Sequence, residues 1–277
     1  MKSTFKWMFA VILICGLTIT SCKKDPQPTP IPDPEPTTQT VLASIVGTGV
    51  PFYDSVTYTY EYDAEYRIVR SESHVTNESH VIQDLRFTYS DGHISVVGTE
   101  DEKPLTIECT LNEEGLITHF VKTEVVNDTI TQITNVDLTY DEGGRLTSQY
   151  SISDVGQGVT NNYVWEGDDL VAANMEGGPV TIEYVPSDAP AQALLDKIGY
   201  NLNLKDLCTQ GCFGKLPAHM PAQGNITTTI PIPGMAPIVE TINYTYTVNA
   251  DGRLATCLET GGTDNRTTNY IFNWEER

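Results

Sequence analysis

The feature that most constrains this chain is a short phrase that recurs along it. Four times a residue that closes a strand is followed, six positions later, by an aliphatic one: Tyr62 and Ile68, Leu111 and Ile117, Tyr140 and Leu146, Val248 and Leu254. Between them lie "DAEYR", "NEEGL", "DEGGR" and "NADGR". Two shorter versions join Tyr89 to Ile94 across "SDGH" and Trp165 to Leu170 across "EGDD". Asp or Asn starts a tight turn by bonding its own backbone, and glycine takes the positive φ that completes it. Gly92, Gly115, Gly144 and Gly252 fit that role, whereas the first phrase has no glycine. The chain ends on "FNWEER", an incoming strand with no partner written after it.

Side chains alternate before each turn. Tyr58, Tyr60 and Tyr62 share one face while Thr57, Thr59 and Glu61 share the other, and Tyr244, Tyr246 and Val248 repeat the arrangement. A period of two means strands with one buried face. Looser connections fall between the tight ones, at residues 75–79, 98–103, 126–129, 155–158, 175–179 and 261–265. Tight turns at one end and variable loops at the other describe an up-and-down antiparallel meander. At about 13 residues per strand and half-turn, roughly 14–16 strands are expected, too many for a flat sheet of more than about 10. The fold predicted is therefore all-β, a closed barrel or half-barrel.

Such a barrel does not belong in lipid. A membrane barrel needs an outward band apolar at alternate positions. The strand over residues 66–75 puts Ile68, Arg70, Glu72 and His74 on one predicted face and Arg67, Val69, Ser71 and Ser73 on the other.

The N-terminus gives an address. Lys2 and Lys6 precede and flank an apolar run over residues 7–19, which at 13 residues is shorter than the ~20 a spanning helix requires. Residues 1–21 read as a secretory signal peptide. "ITSC" resembles the bacterial lipobox, which makes Cys22 the lipidated first residue of the mature chain. Residues 22–40 then form a tether with six prolines, extended to roughly 55 Å at about 3.1 Å per residue. The remaining residues, 41–277, read as a single barrel-like domain. Outer-membrane lipoprotein, on the periplasmic face or the cell surface, is the expected location. Removing Lys2 and Lys6 leaves 14 basic residues against 37 acidic, a formal charge of −23. That excludes nucleic acid as a partner, because phosphate binding needs a basic surface.

The hairpins, "TYDEGGRL" and "VNADGRL" above all, resemble the tyrosine-aspartate repeats of the large Rhs-type shell proteins, which are far longer arrays. With the lipobox, the spacer and the interruption leading to "GKLPAHMP", they are more similar to a family of lipoproteins from gut-dwelling Gram-negative bacteria, a domain of unknown function with a porin-like fold. The resemblance covers most of the mature chain. It implies a fold and a cell location; it implies no activity and no catalytic residues.

One stretch does not repeat, residues 187–224. There "SDAPAQALLDKIG" has Asp188 as a cap, Pro190 in the first turn, Ala191, Leu194, Leu195 and Ile198 at helical spacing and Gly199 as the stop, which predicts one short amphipathic helix. Its buried stripe, with Leu204 and Phe213, is the candidate plug or ligand-gating region. Cys208 and Cys212 in "CTQGC" are read as free buried thiols or as a local disulfide, which the compartment allows. His74 and His80 would lie opposite one another if their strands paired symmetrically, but with no third ligand they are weak metal candidates. "DSV" and "DTI" resemble O-glycan acceptor sites, naming Ser55 and Thr129. No nucleophile elbow, zinc-protease helix or phosphate loop is present. No cofactor is expected. The functional expectation is a monomeric, non-enzymatic module that binds a glycan, a peptide or a partner protein; a carboxylate-based hydrolase and a purely structural envelope protein are the alternatives.

Overall fold

The computed structural model describes residues 38–277, apart from 51–52, 77–79, 128–129, 176–179, 193–203, 209, 229–234 and 263–264. The signal peptide, Cys22 and nearly all of the tether lie outside the described residues, as do Thr129, Leu194, Leu195 and Ile198. Sixteen strands form one closed barrel. In chain order they are β1 (Thr40–Thr48), β2 (Ser55–Tyr62), β3 (Ile68–Val75), β4 (Val81–Ser90), β5 (His93–Glu100), β6 (Lys103–Leu111), β7 (Ile117–Asn127) and β8 (Ile130–Tyr140). The second half comprises β9 (Leu146–Ser153), β10 (Val159–Glu166), β11 (Asp169–Met175), β12 (Val180–Pro190), β13 (His219–Thr228), β14 (Ile238–Val248), β15 (Leu254–Gly261) and β16 (Arg266–Glu276). Every strand pairs antiparallel with its sequence neighbours, and β1 closes the circle against β16. The unfinished phrase "FNWEER" therefore finds its partner at the other end of the chain.

The tight turns are nearly identical. In each, one side-chain oxygen accepts two main-chain N–H bonds: Asp63 from Glu65 and Arg67, Asn112 from Glu114 and Leu116, Asp141 from Gly143 and Arg145, Asn249 from Asp251 and Arg253. Gly115, Gly144 and Gly252 have φ of 80°, 74° and 74°. The hairpin without glycine makes the same turn, with Tyr66 at φ 61° in the glycine position. That left-handed conformation costs a non-glycine residue about 1–2 kcal/mol, and the Tyr66 hydroxyl bond to the Arg277 carbonyl at 3.2 Å helps hold it.

A bulge follows each of these four turns, and two more occur in β1 and β11. Ala43, Val69, Thr118, Thr147, Val171 and Ala255 are each an extra residue one step past the first inward aliphatic side chain. The bulge corrects the face assignment of β3. Ile68 pairs with Tyr62, and after the extra Val69 the inward positions are Ser71, Ser73 and Val75, leaving Arg70, Glu72 and His74 outside.

Five inward aromatics bind the carbonyl beside the previous bulge. Tyr62 donates to Leu42, Tyr89 to Ile68, Tyr140 to Ile117, Trp165 to Leu146 and Trp274 to Leu254, all at 2.6–2.8 Å. A bulge disrupts the ladder locally, so the aromatic donor satisfies an acceptor that would be costly to bury alone. The turn arginines then cover these rings: Arg67 lies over Tyr89, Arg145 over Trp165, Arg253 over Trp274, and the C-terminal Arg277 over Tyr62. Several words of the repeat thus grip a neighbour, and the last grips the first.

The two faces of the sheet differ. Leu105, Ile107 and Cys109 of β6 are buried while Thr106, Glu108 and Thr110 are exposed, and β8 buries Val136 and Leu138 while exposing Asn135 less than fully and Asp137 and Thr139 openly. The buried side chains form one continuous apolar cluster inside the barrel. Outside, Arg70 pairs with Asp84, Glu72 and Glu61, and His119 pairs with Asp137.

Candidate functional site

Strand order puts all tight turns at one end of the barrel, together with both edges of the β1–β16 seam and the connection from β12 to β13. This connection is the non-repeating stretch, and it is shorter than the sequence suggested: strand pairing continues to Pro190 and resumes at His219. Asp188 and Pro190 therefore belong to β12 and do not start a helix. Ser187 and Pro190 are held by the ladder and by the Ser187 hydroxyl bond to the Met220 carbonyl, a non-local pairing that overrides the local capping signal. Among the described residues the only helix is α1 (Lys205–Cys208), a single turn further on.

Residues 204–208 and 210–220 plug the tight-turn end. Leu204, Leu207, Cys208, Phe213 and Met220 are at most 1 % exposed. Main-chain bonds stitch the segment to the turns in sequence: Ile117 N–H donates to Cys212, Lys215 to Gly144, and Ala218 to Asp168. Lys215 Nζ reaches Asp168 at 2.7 Å, and the His219 N–H reaches the Asp169 carboxylate at 3.0 Å. Gly214, at φ 84°, passes so close to the Gly144 carbonyl that a Cβ there would sit 2.2 Å from its oxygen. The plug also carries one buried acid: Asp206 accepts a 2.7 Å bond from the Ser71 hydroxyl inside the barrel. Burial, and then the charge of Asp206, push the Tyr62 phenol up.

Of the residues singled out in sequence, Leu204 and Phe213 are in the plug. Cys208 and Cys212 are both there and unbridged, as are Cys109 and Cys257, so of the two readings the thiols and not the local disulfide are seen; Cys208 is buried in the apolar core, and the Cys212 carbonyl accepts from the Ile117 N–H. Burial pushes the Cys212 thiol up to about 11 and the Cys109 thiol up to about 12, which makes these thiols poor nucleophiles. His74 and His80 do not face each other: a register shift sets His74 opposite Val81, with His74 near Glu72 and the His80 ring beside Tyr53. No cluster of three metal-ligating side chains occurs among the described residues. Ser55 sits at the start of β2, and its hydroxyl donates to Thr76 at 2.9 Å.

Towards the loop end many inward positions turn polar, although Val56 and Val75 stay buried there. Ser73, Gln83, Lys122, Glu124, Thr134, Gln149 and Ser151 replace the aliphatic side chains of the other half. Glu100 and Glu124 converge on the nearly buried Lys122 ammonium at 3.6 and 2.6 Å, beside a cleft of about 240 Å³. A glycoside hydrolase needs two carboxylates facing a substrate with different protonation. Here both acids are spent on one lysine, an ion triad.

A second cleft, of about 290 Å³, opens at the seam, between the plug and the edges of β1 and β16. Tyr62, Trp274, Gln39, Gln192, Gln210 and Arg253 are among the residues lining it. None of these six was singled out for a site by sequence. The available signal was the unpaired "FNWEER", which marks where the repeat breaks.

The comparisons fit this geometry. Residues 60–256 match the family described as "Domain of unknown function (DUF4595) with porin-like fold". The chain belongs to that family. The match runs from β2 into β15, so the closing strands β1 and β16 lie beyond it. Among solved structures, the chain is similar to a porin-like protein from Bacteroides uniformis ATCC 8492, at 15 % identity, TM-score 0.60, covering 84 % of this chain and 96 % of that one. A porin-like protein from Bacteroides vulgatus ATCC 8482 aligns at 9 % identity and TM-score 0.60, covering 86 % and 99 %. Likeness at these identities speaks to the fold alone. No curated protein matches the chain.

Proposed function

We propose that this family member is a non-enzymatic, lipid-anchored interaction module of the bacterial envelope, whose barrel stands in water beside the outer membrane. The observation that carries the reading is the orientation of the sheet: in the tight-turn half the inward face is apolar and plugged, while the outward face bears ion pairs such as Arg70–Asp84. Charged outward side chains are destabilising at the depth of a bilayer, and a core packed with fully buried Leu and Ile leaves no aqueous conduit among the described residues of the tight-turn end. The lipobox-like "ITSC" supplies the membrane connection that such a barrel lacks. With β1 starting at Thr40, the chain enters the barrel at the plugged end.

Metabolic labelling with a palmitate analogue tests the anchor. The wild-type chain is expected to carry label and to fractionate with membranes, whereas Cys22→Ser is expected to lose both. A lipidated mature form of the Cys22→Ser variant would contradict the proposal.

A further inference from the structure

We propose that the seam cleft is a binding site for a neutral sugar unit, a reading that rests on the interaction module proposed above and gives it a location. The argument begins with what the seam lacks. At the covalent hairpins, an Asp or Asn side chain and a five-residue turn cover the rim between incoming and outgoing strands. At the seam, among the described residues, the rim beyond the β1–β16 ladder carries the pair Gln39 and Arg277, which exchange two main-chain bonds at 3.0 Å each. The grammar is otherwise intact there: Trp274 pairs with Leu42, Ala43 is the bulge, Tyr62 binds the Leu42 carbonyl and Arg277 covers Tyr62. The seam lacks the side-chain-bonded turn that four of the hairpins carry, and the cleft opens beside it.

The walls supply a specific chemistry. Tyr62 and Trp274 bring aromatic surface, with their polar atoms already committed to the Leu42 and Leu254 carbonyls. Arg277 lies over Tyr62 and Arg253 over Trp274, so what the two rings offer is the surface these arginines leave uncovered, with no competing hydrogen bond. Gln192 is held against the start of β15, its Oε1 accepting from the Leu254 N–H at 3.0 Å and its Nε2 donating to the Gly252 carbonyl at 3.5 Å. The Gln39 and Gln210 amides make no side-chain hydrogen bond among the described residues, so both are available as paired donors and acceptors. Arg253 is already engaged, above the Trp274 ring and 3.6 Å from Asp251. Amides that donate and accept, set beside flat apolar surface, suit a ligand that alternates hydroxyl groups with C–H faces. A mature charge of −23 disfavours an anionic ligand at long range, and a cleft of about 290 Å³ lies at the small end of ligand sites. Those limits select a single neutral sugar ring, or the end of a glycan, over a polyanion or a long chain.

The test uses the full-length protein, labelled with ¹⁵N and titrated separately with glucose, galactose and N-acetylglucosamine. At least one is expected to shift the Gln39 and Gln210 side-chain amide and Trp274 indole resonances saturably. Gln210→Ala, with an unchanged melting temperature, is expected to weaken that binding roughly tenfold, the effect of losing one well-placed hydrogen bond. The proposal is overturned if none of the three sugars gives a saturable shift in the folded protein, or if Gln210→Ala binds unchanged. Saturable shifts confined to the loop end would overturn the seam site while leaving the interaction module standing.

Discussion

The two ends of this barrel are built from the same strands and differ in almost everything else. At the tight-turn end, turns of five residues repeat one hydrogen-bonding pattern, aromatic side chains knit neighbouring hairpins, and a plug fills the interior. At the loop end, connections vary in length and the inward side chains become polar. The difference teaches where stability and adaptability reside. Buried area and satisfied acceptors accumulate at one end, leaving the other free to diverge, as surface loops do when a rigid scaffold carries them.

That contrast can be broken by substitution, and the largest effect is expected in the plug. Phe213 is 1 % exposed, and Phe213→Ala should cost about 3–5 kcal/mol in a denaturant titration. A cost under about 1 kcal/mol would mean that the plug rests on the barrel without being part of its core. Gly214→Ala comes next. Its left-handed backbone alone penalises a side chain by roughly 1–3 kcal/mol, and the contact with the Gly144 carbonyl adds to that. Gly92 and Gly115 have open space around them, so alanine there should cost less than at Gly214.

Smaller again is Tyr140→Phe, which removes the hydroxyl bond to the Ile117 carbonyl and should cost about 1 kcal/mol. Acid should act through the turns as well. Hydrogen bonds from the Arg145 backbone and then its side chain hold the Asp141 carboxyl below its ordinary value of 3.8, and the Arg70 side chain does the same for Asp84. Both folded values are depressed, so the stabilisation is complete above the ordinary value and is lost as pH falls through the folded one. A melting temperature that falls below about pH 4 in the wild type, and falls less in Asp141→Asn, is the expected result. At the loop end, Ile152 is on the outer face and 39 % exposed; Ile152→Thr should change stability by no more than about 0.5 kcal/mol.

Much of the architecture was legible in sequence because it is local. An Asp or Asn that bonds its own backbone, a glycine two or three residues later and a period of two on either side are properties of a dozen consecutive residues. Tyr140, Asp141, Gly144 and Leu146 do what their spacing implies. What escaped the sequence is non-local. The bulge at Val69 is defined by the partner strand, so the faces of β3 could not be read from alternation alone. Tyr66 takes the glycine conformation because its hydroxyl finds the far end of the chain. Asp188 and Pro190 carry a helix-start signal, yet the ladder to β13 claims them. The seam cleft joins Gln39, Gln192 and Trp274, residues separated by most of the chain, and no window of sequence brings them together.

The central claim is that this barrel keeps its apolar face inward and meets water on the outside, with any membrane attachment supplied by Cys22. It is tested most directly by purifying the Cys22→Ala protein without detergent and recording its sedimentation and far-ultraviolet circular dichroism. A folded, β-rich, monodisperse protein in detergent-free buffer is the predicted result. A Cys22→Ala protein that folds but leaves the membrane only in detergent would contradict the account.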